Sequence, residues 1–211
     1  QISVNQIQNR SIELSLLLSI PATFGLLIAS KQIINSLFGY GSFQIEDVIF
    51  TSLALTFFSI GVPAFALIKV LSNFYFARDN TKLPFYISFL SMVLNILISV
   101  SLFKKYGFII IPIATSISTW VAVFIYIVLL TRSGLINFEN KYLLNFFKIL
   151  IATILMCLFL YFSLDYFEDK FDYYYKFKLI YLLIVVGLSV TVYLFFAKLF
   201  GLFNLKSYKL I

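Results

Sequence analysis

Along the chain, long apolar runs alternate with short polar breaks, and six runs stand out: 12–37, 47–73, 83–103, 108–130, 142–164 and 177–200. At ~1.5 Å of rise per residue, a helix of about 20 residues crosses the ~30 Å hydrocarbon core of a bilayer. The breaks carry turn chemistry: GYGS at 39–42, RDNTKLP at 78–84, KKYG at 104–107, RSG at 132–134 and DYFEDKFD at 165–172. A transmembrane β-barrel would instead show alternating segments of about ten residues. The pattern therefore predicts an all-α, polytopic transmembrane helix bundle with six spans.

The first four runs carry polar residues at helical spacing. Ser15, Ser19 and Thr23 recur on one face of the first, and Ser52, Thr56 and Ser59 on one face of the second. Ser88, Ser91, Asn95 and Ser99 form the longest stripe, and Thr115 and Thr119 continue the pattern in the fourth run. Positions three and four apart share a helix face. Two readings stand. Small polar groups glue membrane helices through close packing and interhelical hydrogen bonds of about 0.6–2 kcal/mol each; alternatively, Ser59, Ser91, Asn95 and Thr119 line a water-filled cavity. Asn95 carries a full amide in a membrane span, which is costly unless paired and marks a functional position. Pro21, Pro63 and Pro112 fall inside runs and predict kinks in three of the four striped helices. The last two runs lack proline and read as lipid-facing additions.

Composition sharpens the class. Hydrophobic residues make up 62% of the chain and charged residues 12%, with no His; soluble domains have about 25% charged and 45–50% apolar residues. Cys157 stands alone, which excludes an internal disulfide and Cys-based metal sites. With no His, no G-x-S-x-G element and no acid cluster inside a run, nothing points to an enzyme. Without Met or a signal sequence at its start, the chain reads as the C-terminal piece of a longer protein.

The net charge of +7 is a topology signal. One set of run ends holds ten cations: Arg10, Lys69, Arg78, Lys82, Arg132, Lys141, Lys148, Lys198, Lys206 and Lys209. The opposite set holds six: Lys31, Lys104, Lys105, Lys170, Lys176 and Lys178. The positive-inside rule makes the first side cytoplasmic, with both ends of the piece inside. Glu13, Asp79 and Glu139 then fall inside, while Glu46, Asp47, Asp165, Glu168, Asp169 and Asp172 fall outside. Cations near 74–82 meet anionic head groups, beside the aromatic belt of Phe74, Tyr75 and Phe76. No basic surface has room for a duplex, so nucleic acid is not an expected partner.

Two stretches then carry a resemblance: SLFGYGSF at 36–43 and GVPAFALIKVLSNFYFARDNTKLPF at 61–85. They resemble the bacterial lipid II flippase family, MurJ or MviN, whose members carry an LF-x-x-G-x-F turn and a KVL-x-x-x-FYA-x-x-D-T-x-T-P segment. Leu37, Phe38, Gly41 and Phe43 match the first, and Lys69, Val70, Leu71, Phe74, Tyr75, Asp79, Thr81 and Pro84 the second. Phe76 inserted before Ala77, Asn80 in the Asp-Thr step and Leu83 before the proline depart from the pattern.

The resemblance implies a fourteen-helix fold of the multidrug/oligosaccharidyl-lipid/polysaccharide exporter superfamily. Residues 1–131 would be the last four helices of its second core lobe, and 132–211 two accessory C-terminal helices. It implies movement of undecaprenyl-linked peptidoglycan precursor from inner to outer leaflet of the bacterial cytoplasmic membrane by alternating access, with membrane lipids and the missing N-terminal helices as partners. Lys69, Arg78 and Asp79 would bind substrate or gate the cavity; snorkelling for Lys69 and a solvated loop for the other two are the competing readings. It also implies a sodium ion as the one possible cofactor, on Asn95, Thr115 and the Ile111 carbonyl, with Ser99 standing where the family's carboxylate would. A polysaccharide-unit or multidrug exporter, and a non-transporting membrane scaffold, remain the alternatives.

Overall fold

Backbone amides in lipid must bond within their own segment, and the apolar runs meet that demand as helices. The computed structural model describes residues 4–136 and 140–202. It contains α1 (Val4–Phe38), α2 (Ile45–Ser59), α3 (Val62–Phe76), α4 (Lys82–Tyr106), α5 (Ile110–Arg132), α6 (Asn140–Tyr166) and α7 (Lys178–Leu199), with no strand among the described residues. Five continuous apolar stretches are long enough to cross a membrane. One of them, Lys82–Arg132, spans 51 residues and folds back on itself at Gly107 as α4 and α5, which restores the six expected spans. Glu139, Lys206 and Lys209 lie outside the described residues.

α1 is the shared wall of the bundle. Ile12 packs with Leu67, Leu71, Tyr75, Tyr126 and Leu130 of α3 and α5. Leu17 and Ile20 pack with Ile149, Ala152, Met156 and Tyr193 of α6 and α7. The α6–α7 pair meets the rest of the bundle chiefly through α1. Buried Ala152, Ser189 and Ala197 let these helices approach closely, the usual device where lipid removes any hydrophobic drive for association. Tyr193 adds a direct tie, its hydroxyl donating to the Leu17 carbonyl at 2.6 Å.

The run at 47–73 differs from expectation. It is a broken helix, interrupted at Ile60–Gly61, and Pro63 lies in the first turn of the new helix. A proline there forfeits no intrahelical bond, because first-turn amides have no partner within the helix. Pro112 likewise falls in the first turn of α5, and Pro21 sits inside α1 without interrupting it. The break leaves carbonyls without their usual donors. Gly61 N–H turns to the Phe58 carbonyl at 3.0 Å, which strands that of Phe57. α5 supplies the replacements: Ser116 Oγ donates to the Phe57 carbonyl at 2.8 Å, and Trp120 Nε1 donates to the Ile60 carbonyl at 2.9 Å. Gly61 makes this approach possible, since a Cβ there would lie 2.8 Å from Ser116 Oγ and 3.0 Å from the Phe65 ring.

At the other end of the α1 wall, Lys178 is 0% exposed. Its ammonium donates to Asn35 Oδ1 at 3.1 Å and to the Gly39 and Tyr173 carbonyls at 2.7 Å each. It also lies 4.2 Å from the centroid of the Tyr40 ring and 4.9 Å from that of Tyr173, a cation–π cage in which no carboxylate among the described residues makes a direct ion pair. Asn35 Nδ2 in turn donates to the Phe171 carbonyl at 2.7 Å. Gly39 is required, because a Cβ would collide with the Asn35 side chain and sit 2.6 Å from its carbonyl oxygen. The cage fastens the start of α7 to the end of α1.

Two outcomes follow. Gly61→Ala lowers the melting midpoint of the purified chain by forcing Ser116 away, an overpacking cost of about 1–3 kcal/mol. Combined with Ser116→Ala, the loss is less than the sum of the single losses, because the colliding hydroxyl is gone; strict additivity in the thermal melts would refute the contact. Lys178→Met leaves three acceptors unpaired at about 1–3 kcal/mol each and exposes the 167–177 connection to protease. Lys176→Met, on an exposed neighbour, leaves the cleavage rate unchanged.

Candidate functional site

The polar stripes of α4 and α5 meet as a ladder. Ser91 Oγ donates to the Ser118 carbonyl at 3.0 Å. One turn along, Asn95 Nδ2 donates to Thr115 Oγ1 at 2.9 Å. A further turn on, Ser99 Oγ lies 3.5 Å from Asn95 Oδ1, a long contact. The Thr115 hydroxyl hands its own proton to the Ile111 carbonyl at 2.8 Å. The four candidate sodium ligands are thus brought together: Asn95, Ser99, Thr115 and Ile111 converge from two antiparallel helices. As a donor set they fit a hard cation in kind, offering oxygens, and all four are neutral. Their hydrogens are engaged among themselves, so the cluster is satisfied by its own hydrogen bonds.

The other cavity candidates are more deeply set. Ser59 is 0% exposed and donates to the Thr56 carbonyl at 2.7 Å. Thr119 is buried too and donates to the Thr115 carbonyl at 2.6 Å. Thr56 reaches Ser30 of α1 at 2.9 Å, so the α2 stripe serves as an interhelical tie. In lipid, a hydroxyl returning its proton to a carbonyl one turn back removes an unpaired donor from a helix face.

Lys69, Arg78 and Asp79 do not form one constellation. Lys69 is exposed on α3. Arg78 Nη1 donates to the Phe74 carbonyl at 2.7 Å and so closes the C-terminus of α3, where a cation also complements the helix dipole. Asp79 adopts φ 55°, a left-handed conformation that Asp tolerates, and its chain reversal lets Asn80 Oδ1 accept from the Leu83 amide at 3.2 Å at the start of α4. Arg78 and Asp79 do not pair with one another; among the described residues the close ion pair is Arg10–Glu13, at 2.8 Å. The apolar members of the same motif are core: Leu71, Phe74 and Tyr75 are buried against α1 and α5, and Pro84 is buried in the first turn of α4.

Neither Ser116 and Trp120 as caps of the broken helix nor Lys178 as a caged cation was expected from the sequence. The available signals were weak. Trp120 is the chain's one tryptophan, in an oily run where its N–H needs an acceptor. Lys178 opens a span, where in sequence it reads as one more topology charge.

The family model described as "Lipid II flippase MurJ" matches residues 1–201. The probable lipid II flippase MurJ of Rickettsia prowazekii is 34% identical over 155 residues, covering 74% of this chain and 31% of that protein. The probable lipid II flippase MurJ of Buchnera aphidicola subsp. Schizaphis graminum is 30% identical over 195 residues, covering 92% of this chain and 38% of that protein. A solved lipid II flippase MurJ in an inward closed conformation superposes with a TM-score of 0.74 at 28% identity, over 94% of this chain and 39% of the other. The chain therefore spans between about a third and two fifths of the length of the relatives it matches. With nearly its whole length inside the family model and the six spans superposing on a solved member, this polytopic membrane chain belongs to the lipid II flippase MurJ family.

Proposed function

We propose that this chain is part of a flippase that carries undecaprenyl-linked peptidoglycan precursor from the inner to the outer leaflet of the bacterial cytoplasmic membrane. The observation that carries the reading is the family match across residues 1–201. Physical need agrees with it: a diphosphate-sugar head cannot cross ~30 Å of hydrocarbon unaided. It requires a polar path, and alternating access between two lobes supplies one without making or breaking a bond.

In this reading residues 1–131 belong to the second core lobe and 132–211 form the accessory pair, as the attachment of α6 and α7 chiefly through α1 supports. The end bearing Arg78 and Lys82 faces the cytoplasm, and both ends of the piece lie inside. Lys69, exposed on α3, is a cation that would meet an anionic substrate head. Sodium, where it binds, is held by Asn95, Thr115, Ser99 and the Ile111 carbonyl and supplies a positive charge between α4 and α5. Neutral dipoles alone hold it there, which makes the site weak.

Depleting the protein in cells collapses the outer-leaflet pool of precursor, read with an outside-only precursor-cleaving toxin, while total precursor rises. An unchanged outer pool in a strain with no second flippase refutes the assignment. Asn95→Leu, introduced at the chromosomal locus, removes one interhelical bond of about 0.6–2 kcal/mol. The protein still inserts at normal abundance, but the outer pool falls; a normal pool would make Asn95 a packing residue. Exchange of sodium for choline shifts the melting midpoint of Ser99→Asp more than that of the natural chain, because the added carboxylate supplies the missing charge.

A further inference from the structure

Between the C-terminal half of α3 and the start of α4 the two helices diverge and leave a cleft of about 670 Å³. Its walls differ from the oily surface elsewhere. Ser72 from α3, Thr81 and Lys82 from the reversal, and Ser88 from α4 bring hydroxyls and an ammonium to it, while Ile68 and Phe85 supply apolar sides. Tyr126 of α5 lines it as well. That tyrosine is 1% exposed, and its hydroxyl has no hydrogen-bond partner among the described residues. A buried phenol without a partner is costly in a low-dielectric setting, and an acceptor entering the cleft would relieve it. The mouth is flanked by Phe76, Phe85 and Tyr86, all exposed, at the level where an aromatic belt marks the head-group zone.

We propose that this cleft is a binding site for an anionic glycerophospholipid, its phosphate held by Lys82 with Ser72, Thr81, Ser88 and the Tyr126 hydroxyl, and its first acyl segment laid against Ile68 and Phe85. The chemistry selects this class. A cation with several hydroxyl donors suits phosphate oxygens, and basic pockets between membrane helices are established head-group sites. The volume lies within the range of small-molecule pockets. It accommodates a glycerophosphate head with the beginning of a chain, and exposed aromatic rings flank it. The site is separate from the Asn95–Thr115 ladder, which lies further along α4. It requires no particular transport activity.

The test uses the whole protein, extracted in mild detergent and exchanged into nanodiscs. Native mass spectrometry then reads retained phosphatidylglycerol against phosphatidylethanolamine, and a second arm offers a polyprenyl diphosphate as competitor. The natural chain retains phosphatidylglycerol preferentially. Lys82→Gln weakens retention about fivefold, the weight of one cation at a membrane surface. Tyr126→Phe weakens it without lowering helix content, and Lys105→Gln, an exposed cation at the far end of α4, changes nothing. Equal retention in all variants, or equal loss with Lys105→Gln, overturns the site. Displacement by polyprenyl diphosphate at concentrations where phosphatidylglycerol does not compete overturns the assignment to phospholipid. A photoreactive residue at position 72 that cross-links to another segment of the protein instead of to lipid shows the cleft to be a helix-packing surface, and overturns the proposal too.

Discussion

Lipid offers no hydrogen bonds, so each polar group inside a span must find its partner within the protein. The break at Ile60–Gly61 shows how far that constraint reaches. Two carbonyls released there are met by Ser116 and Trp120, one turn apart on α5. That fixes the depth and rotation of α5 against the broken helix, and the missing side chain of Gly61 fixes the separation. α4 is then positioned through α5, by the Ser91–Ser118 and Asn95–Thr115 rungs. One interruption thus sets the arrangement of four helical segments. The rungs and the caps lie on different faces of α5, which is why its stripe is richer in hydroxyls than two-sided oily packing would need.

The same constraint organises the opposite side of α1. Lys178 is a buried cation with no direct ion pair among the described residues, held by three oxygens and two rings, with the Asp172 carboxylate near enough to act through space. A buried ammonium is tolerable when its donors are all engaged, and here the acceptors come from three different places in the chain: Asn35, the turn at Gly39 and the loop at Tyr173. At the other end of α1, Glu13 pairs with Arg10 and accepts from Asn145 Nδ2 at 2.9 Å, while Lys148 donates to the Phe200 carbonyl at 3.2 Å. Polar ties therefore close the α1–α6–α7 unit at both ends, with Tyr193 between them. The broken-helix side is tied by weaker, neutral bonds.

Much of this was legible in the sequence where the signal is local. Long apolar runs and turn residues place the helices to within a few positions, except that α1 begins at Val4, eight positions before its apolar run, on a polar first two turns. The α4 stripe marked Asn95 as an amide that must pair, while its association with Thr115 came from the family resemblance and the Ser118 carbonyl as partner of Ser91 was not foreseen. The break was misplaced for a local reason as well: Pro63 signals a kink at its own position, whereas its ring is accommodated in a new first turn and the interruption falls upstream. Its caps were illegible. Ser116 and Trp120 act on residues 59 and 60 positions away, and no periodicity within α5 distinguishes a capping hydroxyl from a packing one. Arg78 and Asp79 show local roles that the sequence left between two readings. Both charges serve the chain reversal locally, one closing α3 and the other taking the left-handed turn.

Ser99 decides the charge of the α4–α5 ladder. A carboxylate at this place, half-buried between two helices with no cation among the described ladder residues, would demand a counter-charge to stay ionised. The hydroxyl makes no such demand. It leaves Asn95 Oδ1 as a free-standing acceptor with one long contact, while the stronger bonds, Asn95 to Thr115 and Thr115 to Ile111, hold the helices together without an ion. An ion arriving at these oxygens must therefore compete with hydrogen bonds already formed, and its departure leaves no unpaired charge behind. The pairing of α4 with α5 thus rests on neutral hydrogen bonds alone.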